Sequence, residues 1–317
     1  MNIKKLLVAV SSSVILAAGS GMAFAHGFAG KRFFPATIAT DDPFVADELS
    51  LPTISTFRQP ADDKGPATQD TELSVELSRR ITPTLGLSLG AGWKRLQPEG
   101  LPSITGMNNM EGSLKYQFYK NDAHETILSA GVGVEVGGTG NSRVGADSFS
   151  TWTPAFFFGK GFGDLPDRMN ALKPLAVTGT LGVSFPSRAS TTTINTDTGD
   201  TDVEQHPHML QWGLAIEYSF IYLQSIVMDI GLVQPISRMI PIIELAMETP
   251  LDRGGGPTTG TVSPGIIWAG SYFQIGVEAI IPVNVHTGHN VGVLGQLHFF
   301  IDDLFPHSVG RPLFGGK

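Results

Sequence analysis

Cysteine is absent from the 317 residues, which excludes a disulfide scaffold, a thiolate metal site and a cysteine nucleophile together. Charge is scarce as well. Only 16% of the residues are Asp, Glu, Lys or Arg, and the formal balance of −8 argues against nucleic acid as a partner. Past the first 25 residues no apolar run approaches the ~18–20 residues that a membrane-spanning helix requires, although mean hydropathy is +0.08. What the chain has in quantity is turn formers, 38 Gly and 21 Pro. That density argues against a helical bundle and for many short strands.

The start of the chain reads as an export signal. Residues 1–5 carry Lys4 and Lys5, an apolar stretch runs from Leu6 to about Leu16, and Ala23-Phe24-Ala25 supplies an A-x-A cleavage site. Residues 1–25 are therefore expected to be removed, leaving His26 as the mature N-terminus. Losing Lys4 and Lys5 takes the 21 basic residues to 19 against 29 acidic, a charge of −10. Residues 26–47 read as a periplasmic arm or a lumen plug, residues 48–302 as a barrel and residues 303–317 as a C-terminal tail.

Period-2 alternation sets the class. Residues 272–284 place Phe273, Ile275, Val277, Ala279, Ile281 and Val283 on one face against Tyr272, Gln274, Gly276, Glu278 and Asn284. The pattern recurs at 48–59, 71–82, 85–96, 108–119, 125–136 and 290–302, and more weakly at 152–161, 175–185, 210–220, 239–249 and 261–269. A soluble sandwich would carry Lys, Thr and Glu on its second face, whereas here that face is rich in Gly and Ser. Strands of about ten residues with a wholly apolar outer face and a small, polar inner face are the signature of a transmembrane β-barrel. Short connections at 83–84, 120–123 and 270–271 and intermediate ones at 163–173 and 223–237 alternate with longer polar ones, which gives twelve strands with both termini in the periplasm. The expected fold is all-β, an antiparallel up-and-down barrel of the outer membrane with lipid as its partner. Trp93, Trp152 and Trp212 fall near expected outer ends, and Phe118, Phe220, Trp268 and Phe299 near periplasmic ends. Residues 222–231 have the spacing of a short periplasmic helix.

Three segments carry a family resemblance: HGFAGKRFFPATIATDDPFVADELSLPTIS, SYFQIGVEAIIPVN and GQLHFFIDDLFP. They resemble a group of proteobacterial outer-membrane barrel proteins similar to the transporter family named for the meta-pathway of phenol degradation. The resemblance covers most of the mature chain and rests on strand and turn patterns. It implies traffic of small, often aromatic compounds, and it carries over no ligand residue.

The assigned inner faces hold Glu72, Glu76, Glu111, Glu125, Glu135, Glu217, Glu244, Glu248 and Glu278 against Arg80, Lys94 and Lys115. This acidic lining reads either as a pore favouring cations or neutral solutes, or as a polar network bracing a closed barrel. His298 is expected to face Glu278 on the neighbouring strand. His26, His206 and His208 are the candidate metal ligands, a minor reading because no carboxylate or thiol accompanies them. No G-x-S-x-G, H-E-x-x-H or P-loop pattern occurs, so no catalytic residues, cofactor or enzymatic activity are expected. The reading is a passive channel or transporter for small solutes, aromatic or hydrophobic ones by the resemblance. Its alternative is a plugged structural or ligand- or metal-binding barrel without transport. Neither reading sets an oligomeric state.

Overall fold

Strands whose two faces differ this strongly must put one face in lipid and the other in an enclosed interior, and closure of the sheet achieves both. The computed structural model describes residues 27–61, 65–194 and 201–315; residues 1–25, expected to be an export signal, and His26 lie outside them. Twelve antiparallel strands form the wall: β1 (Glu48–Gln59), β2 (Thr68–Thr82), β3 (Leu85–Pro98), β4 (Met110–Asn121), β5 (Thr126–Val136), β6 (Thr151–Gly161), β7 (Leu175–Pro186), β8 (Met209–Tyr218), β9 (Met239–Pro250), β10 (Thr259–Ala269), β11 (Phe273–Pro282) and β12 (Gly292–Phe300). Each pairs with its sequence neighbours, and β12 closes on β1 with Gly295 opposite Ile54. Outside the β3–β4 pairing, Ile104–Met107 continues the wall upward against the outer end of β3. A separate hairpin, Ser190–Ile194 with Thr201–Gln205, stands above β7 and β8.

The outer face is the lipid belt. Leu89, Tyr116, Leu181, Ile275 and Val293 are each at least half exposed, a pattern that water would penalise and hydrocarbon stabilises. This is the wall of an outer-membrane protein, with the tight turns 83–84, 122–125 and 270–272, and two longer connections (162–174 and 219–238), at the end where the described chain begins and finishes.

A bulge in β1 re-aims side chains. On β1 the register with β2 shifts between Ser50 and Thr53, so Leu49 and Ile54 both face lipid although their positions differ in parity. The same shift turns Phe57 inward, where its ring meets Gly288 and Gly292. The interior is also not uniformly small and polar. Ala215, Ile240, Ile242, Ile267, Ala269 and Phe300 form an apolar floor on β8–β10 and β12, packed against Phe33, Phe28 and Ile38 of the arm and Ile221. The alternation of β9 and β10 is weak because both of their faces are apolar where the arm covers them.

Two local expectations are corrected. His298 stands opposite Gln274, and Glu278 opposite Leu294, because the tight β11–β12 register runs from Phe273–Phe299 onward. The periplasmic helix begins earlier than residue 222 and ends before 231. Ser219 accepts from the N–H of Tyr222 and starts a helical turn at Phe220, and Leu223–Val227 extends it.

Candidate functional site

The arm, residues 27–47, runs inside the lumen. At the periplasmic mouth Phe28–Ala29 and Arg32–Phe33 form a small hairpin. Its turn needs Gly30, at φ 62°, whose N–H donates to Asp122 Oδ1 on the β4–β5 turn at 2.8 Å. That bond holds the Asp122 carboxyl below the usual carboxylate range.

Arg32, wholly buried, anchors the hairpin. Its Nε donates to Glu125 Oε2 at 2.7 Å, its Nη1 to the Pro174 carbonyl at 3.0 Å and its Nη2 to the Lys173 carbonyl. The guanidinium lies 4.0 Å from the centre of the Tyr222 ring, and Tyr222 Oη donates to the other oxygen of Glu125 at 2.7 Å. Burial and this carboxylate push the Tyr222 phenol well above its ordinary value. Gly161 leaves the room: a Cβ there would collide with Arg32 and Glu125 together.

From the hairpin the arm climbs to mid-barrel and returns. Ala36 exchanges two backbone bonds with the Gln274 amide, at 3.2 and 2.7 Å. Above it the buried carboxylate of Glu244 accepts from the N–H groups of Ile38, Ala39 and Thr40 and from the Thr40 hydroxyl, at 2.7–3.1 Å. Four donors compensate a carboxylate removed from water, as a buried charge requires. At the turn of the arm Lys115 on β4 donates to Asp41 at 2.7 Å and to the Asp42 carbonyl at 2.6 Å. Lys115 also lies 4.5 Å over the Phe157 ring. The descending limb accepts from the Ser129 hydroxyl at Pro43 and ends at buried Asp47, which takes the backbone N–H and Nε of Arg80 at 2.7 and 2.8 Å. The C-terminal tail closes the same corner, with the Gly310 carbonyl accepting from Arg80 Nη2 at 2.8 Å.

The inward charges thus divide into two groups. Glu72, Glu76, Glu111 and Glu135 line the side of the lumen that the arm leaves open; Glu72 accepts from Asn108 and Glu135 from Asn109. Lys94 pairs with Asp70 at 2.9 Å near the outer mouth. Glu125, Glu217, Glu244 and Glu278 are instead buried against the arm, with Glu278 beside Glu244. His298 Nδ1 meets Ser50 Oγ at 2.9 Å, and its Nε2 is 3.6 Å from Glu48.

Three neighbouring spaces lie around the arm. The outer vestibule, about 680 Å³, has Thr40, Asp41 and Lys115 as its floor and Glu248 and His286 near its mouth. A second of about 290 Å³ is lined by Glu76, Glu111, Glu135 and Asp41. A third of about 330 Å³ descends between the arm and β1–β4, past Ser50, Glu76, Ser88 and His298. Asp41 and Ser113 line all three, and Glu76 and Glu111 line the second and third.

The loop histidines do not converge. His206 stacks on Phe149 at 4.2 Å and bonds Thr191. His208 bonds Asp252 through both its backbone N–H and Nδ1, and these bonds hold the Asp252 carboxyl below its ordinary range. Among the described residues no three His, Asp or Glu side chains are grouped to hold a metal ion.

No protein-family model matches the chain, and no curated protein does. Solved structures do. An outer membrane channel from Pseudomonas putida F1 superposes with a TM-score of 0.55 at 13% identity, over 81% of this chain and 96% of that one. The β domain of the Bordetella autotransporter BrkA gives 0.46 at 14% identity, over 80% and 99%. The NanC porin gives 0.46 at 9%, over 79% and 98%. At these identities the first likeness shows the shared barrel fold.

Proposed function

We propose that the protein is a small-solute channel of the outer membrane in which the arm narrows the route to a side passage along β1–β5. The observation that carries this reading is the run of three neighbouring spaces around the arm, with lining residues in common, from the vestibule to His298. The arm packs on the apolar floor of β8–β10 and β12 and touches β2, β4 and β5 through single polar ties, and beside those ties Glu76, Ser88, Glu111 and Ser113 of β2–β4 still line open space. The Pseudomonas putida protein of the same fold is an outer membrane channel, which supports the same assignment.

Carboxylates in a narrow, low-dielectric passage concentrate cations. The route therefore favours small hydrophilic solutes, cationic or neutral, over the aromatic compounds that the family resemblance implies. No catalytic step is assigned to it. Reversal potentials in a KCl gradient test the selectivity. Glu76→Gln, Glu111→Gln and Glu135→Gln together keep the volume and remove the charge, so cation preference should fall, and fall less in 1 M salt than at 0.1 M, where the screening length is ~10 Å and not ~3 Å. An unchanged reversal potential would show that ions do not pass these carboxylates.

A further inference from the structure

The connection between β8 and β9, residues 219–238, is the longest at the periplasmic end, and it is built differently from the loops at the other end. Its helical turns bury Tyr222 and Leu223 toward the arm, and Ile221 packs on the apolar floor. The remainder is clasped by one side chain: Gln224 donates to the Leu232 carbonyl and accepts from the Leu232 N–H, both at 2.8 Å. This fixed loop presents Ile226, Met228, Ile230, Val233 and Ile236 at 44–71% exposure. Between residues 219 and 237 its one charge is Asp229. The outer loops, by contrast, carry Arg143 with Asp147, Arg188 with Glu204, and Asp252 with Arg253.

We infer that this loop is an interfacial anchor that lays those five apolar side chains into the inner leaflet of the outer membrane. Continuity with the lipid belt singles out this occupant. The loop leaves the wall directly after Ile216 and Tyr218, which face lipid on β8, and Phe220 stacks edge-on against Tyr218 at 5.8 Å. It re-enters at β9, where Ile243 faces lipid at 50% exposure. Aromatic rings at this level mark the headgroup boundary, so a loop tethered to both strand ends is held at the depth where apolar side chains on a polar backbone partition into a leaflet. A contiguous apolar surface of this kind is otherwise a liability in water.

The absence of cysteine makes the test direct. Val233→Cys and Met228→Cys, each in the full chain, take a single environment-sensitive fluorophore, and His286→Cys on an outer loop serves as the aqueous reference. In phosphatidylethanolamine–phosphatidylglycerol vesicles both loop probes should emit to the blue of the reference, and brominated phospholipid should quench them severalfold while sparing it. Heat-modifiable gel migration checks that each labelled barrel is folded. Water-like emission at either loop position, indifferent to brominated lipid, would overturn the anchor and leave the surface to a periplasmic protein.

Discussion

Thr40 gives Glu244 both of its donors: the backbone N–H and the hydroxyl each lie 2.7 Å from the same carboxylate oxygen. A residue at the top of the arm is thereby tied to the middle of β9, across 204 positions of chain. With the N–H groups of Ile38 and Ala39 on the same carboxylate, this cluster holds the arm at the height where the vestibule has its floor.

Glu244→Gln should loosen that tie without harming the wall. A neutral amide accepts more weakly and turns its own N–H₂ toward backbone donors. Hydrogen bonds to charged groups are worth roughly 1.5–3 kcal/mol each, so arm docking should weaken by about that amount or more. Hydrogen exchange at residues 38–40 should quicken severalfold while the strand amides of β9 and β10 stay protected. Unchanged protection at 38–40 would show that the arm is held elsewhere.

The Arg32 site should respond more strongly. Arg32→Ala leaves Glu125 buried without its cation, a loss of about 3–5 kcal/mol in comparable buried pairs. Gly161→Ala should give a similar phenotype from the opposite partner, since its methyl group occupies the space of the Arg32–Glu125 bond. In both variants limited proteolysis should cut between residues 27 and 47, and the barrel should keep its heat-modifiable migration. Resistance equal to the parent would contradict the placement of the arm.

The pH response of the hairpin anchor follows from Asp122, whose carboxyl sits below its ordinary value because Gly30 donates to it. A depressed carboxylate binds fewer protons in the folded state than in the unfolded one. Its contribution is present above the unfolded value near ~3.9 and is lost as pH falls through the lower folded value. Protection of the Gly30 amide, corrected for intrinsic exchange, should therefore be flat from pH 5 to pH 8 and decline below about pH 4. Asp122→Ala should remove that decline together with the protection.

Much of this architecture is legible in the sequence. The strands β1–β12 fall within about three residues of the alternating segments, because lipid outside and a small lumen inside impose period 2 more firmly than a soluble core does. Phe57 escapes the pattern because a bulge at β1 changes parity, and no local signal announces a bulge. The inward isoleucines Ile240, Ile242 and Ile267 escape it for another reason: they cover an arm from more than 190 residues away in sequence. The acidic inner face can be read from alternation alone. Its division into passage-lining Glu76 and Glu111 and arm-holding Glu244 cannot, since that depends on where the arm lies. The His298–Glu278 expectation fails for a smaller reason, the length of the β11–β12 connection, which sets the register.

Planar-bilayer conductance of residues 26–317 beside a variant lacking residues 26–47 tests the central claim most directly. With the arm in place the side passage should conduct weakly and prefer cations. Without it, the space now held by residues 27–47 opens, and conductance should rise severalfold with a smaller charge preference. Equal conductance in the two proteins would contradict an arm that narrows the channel.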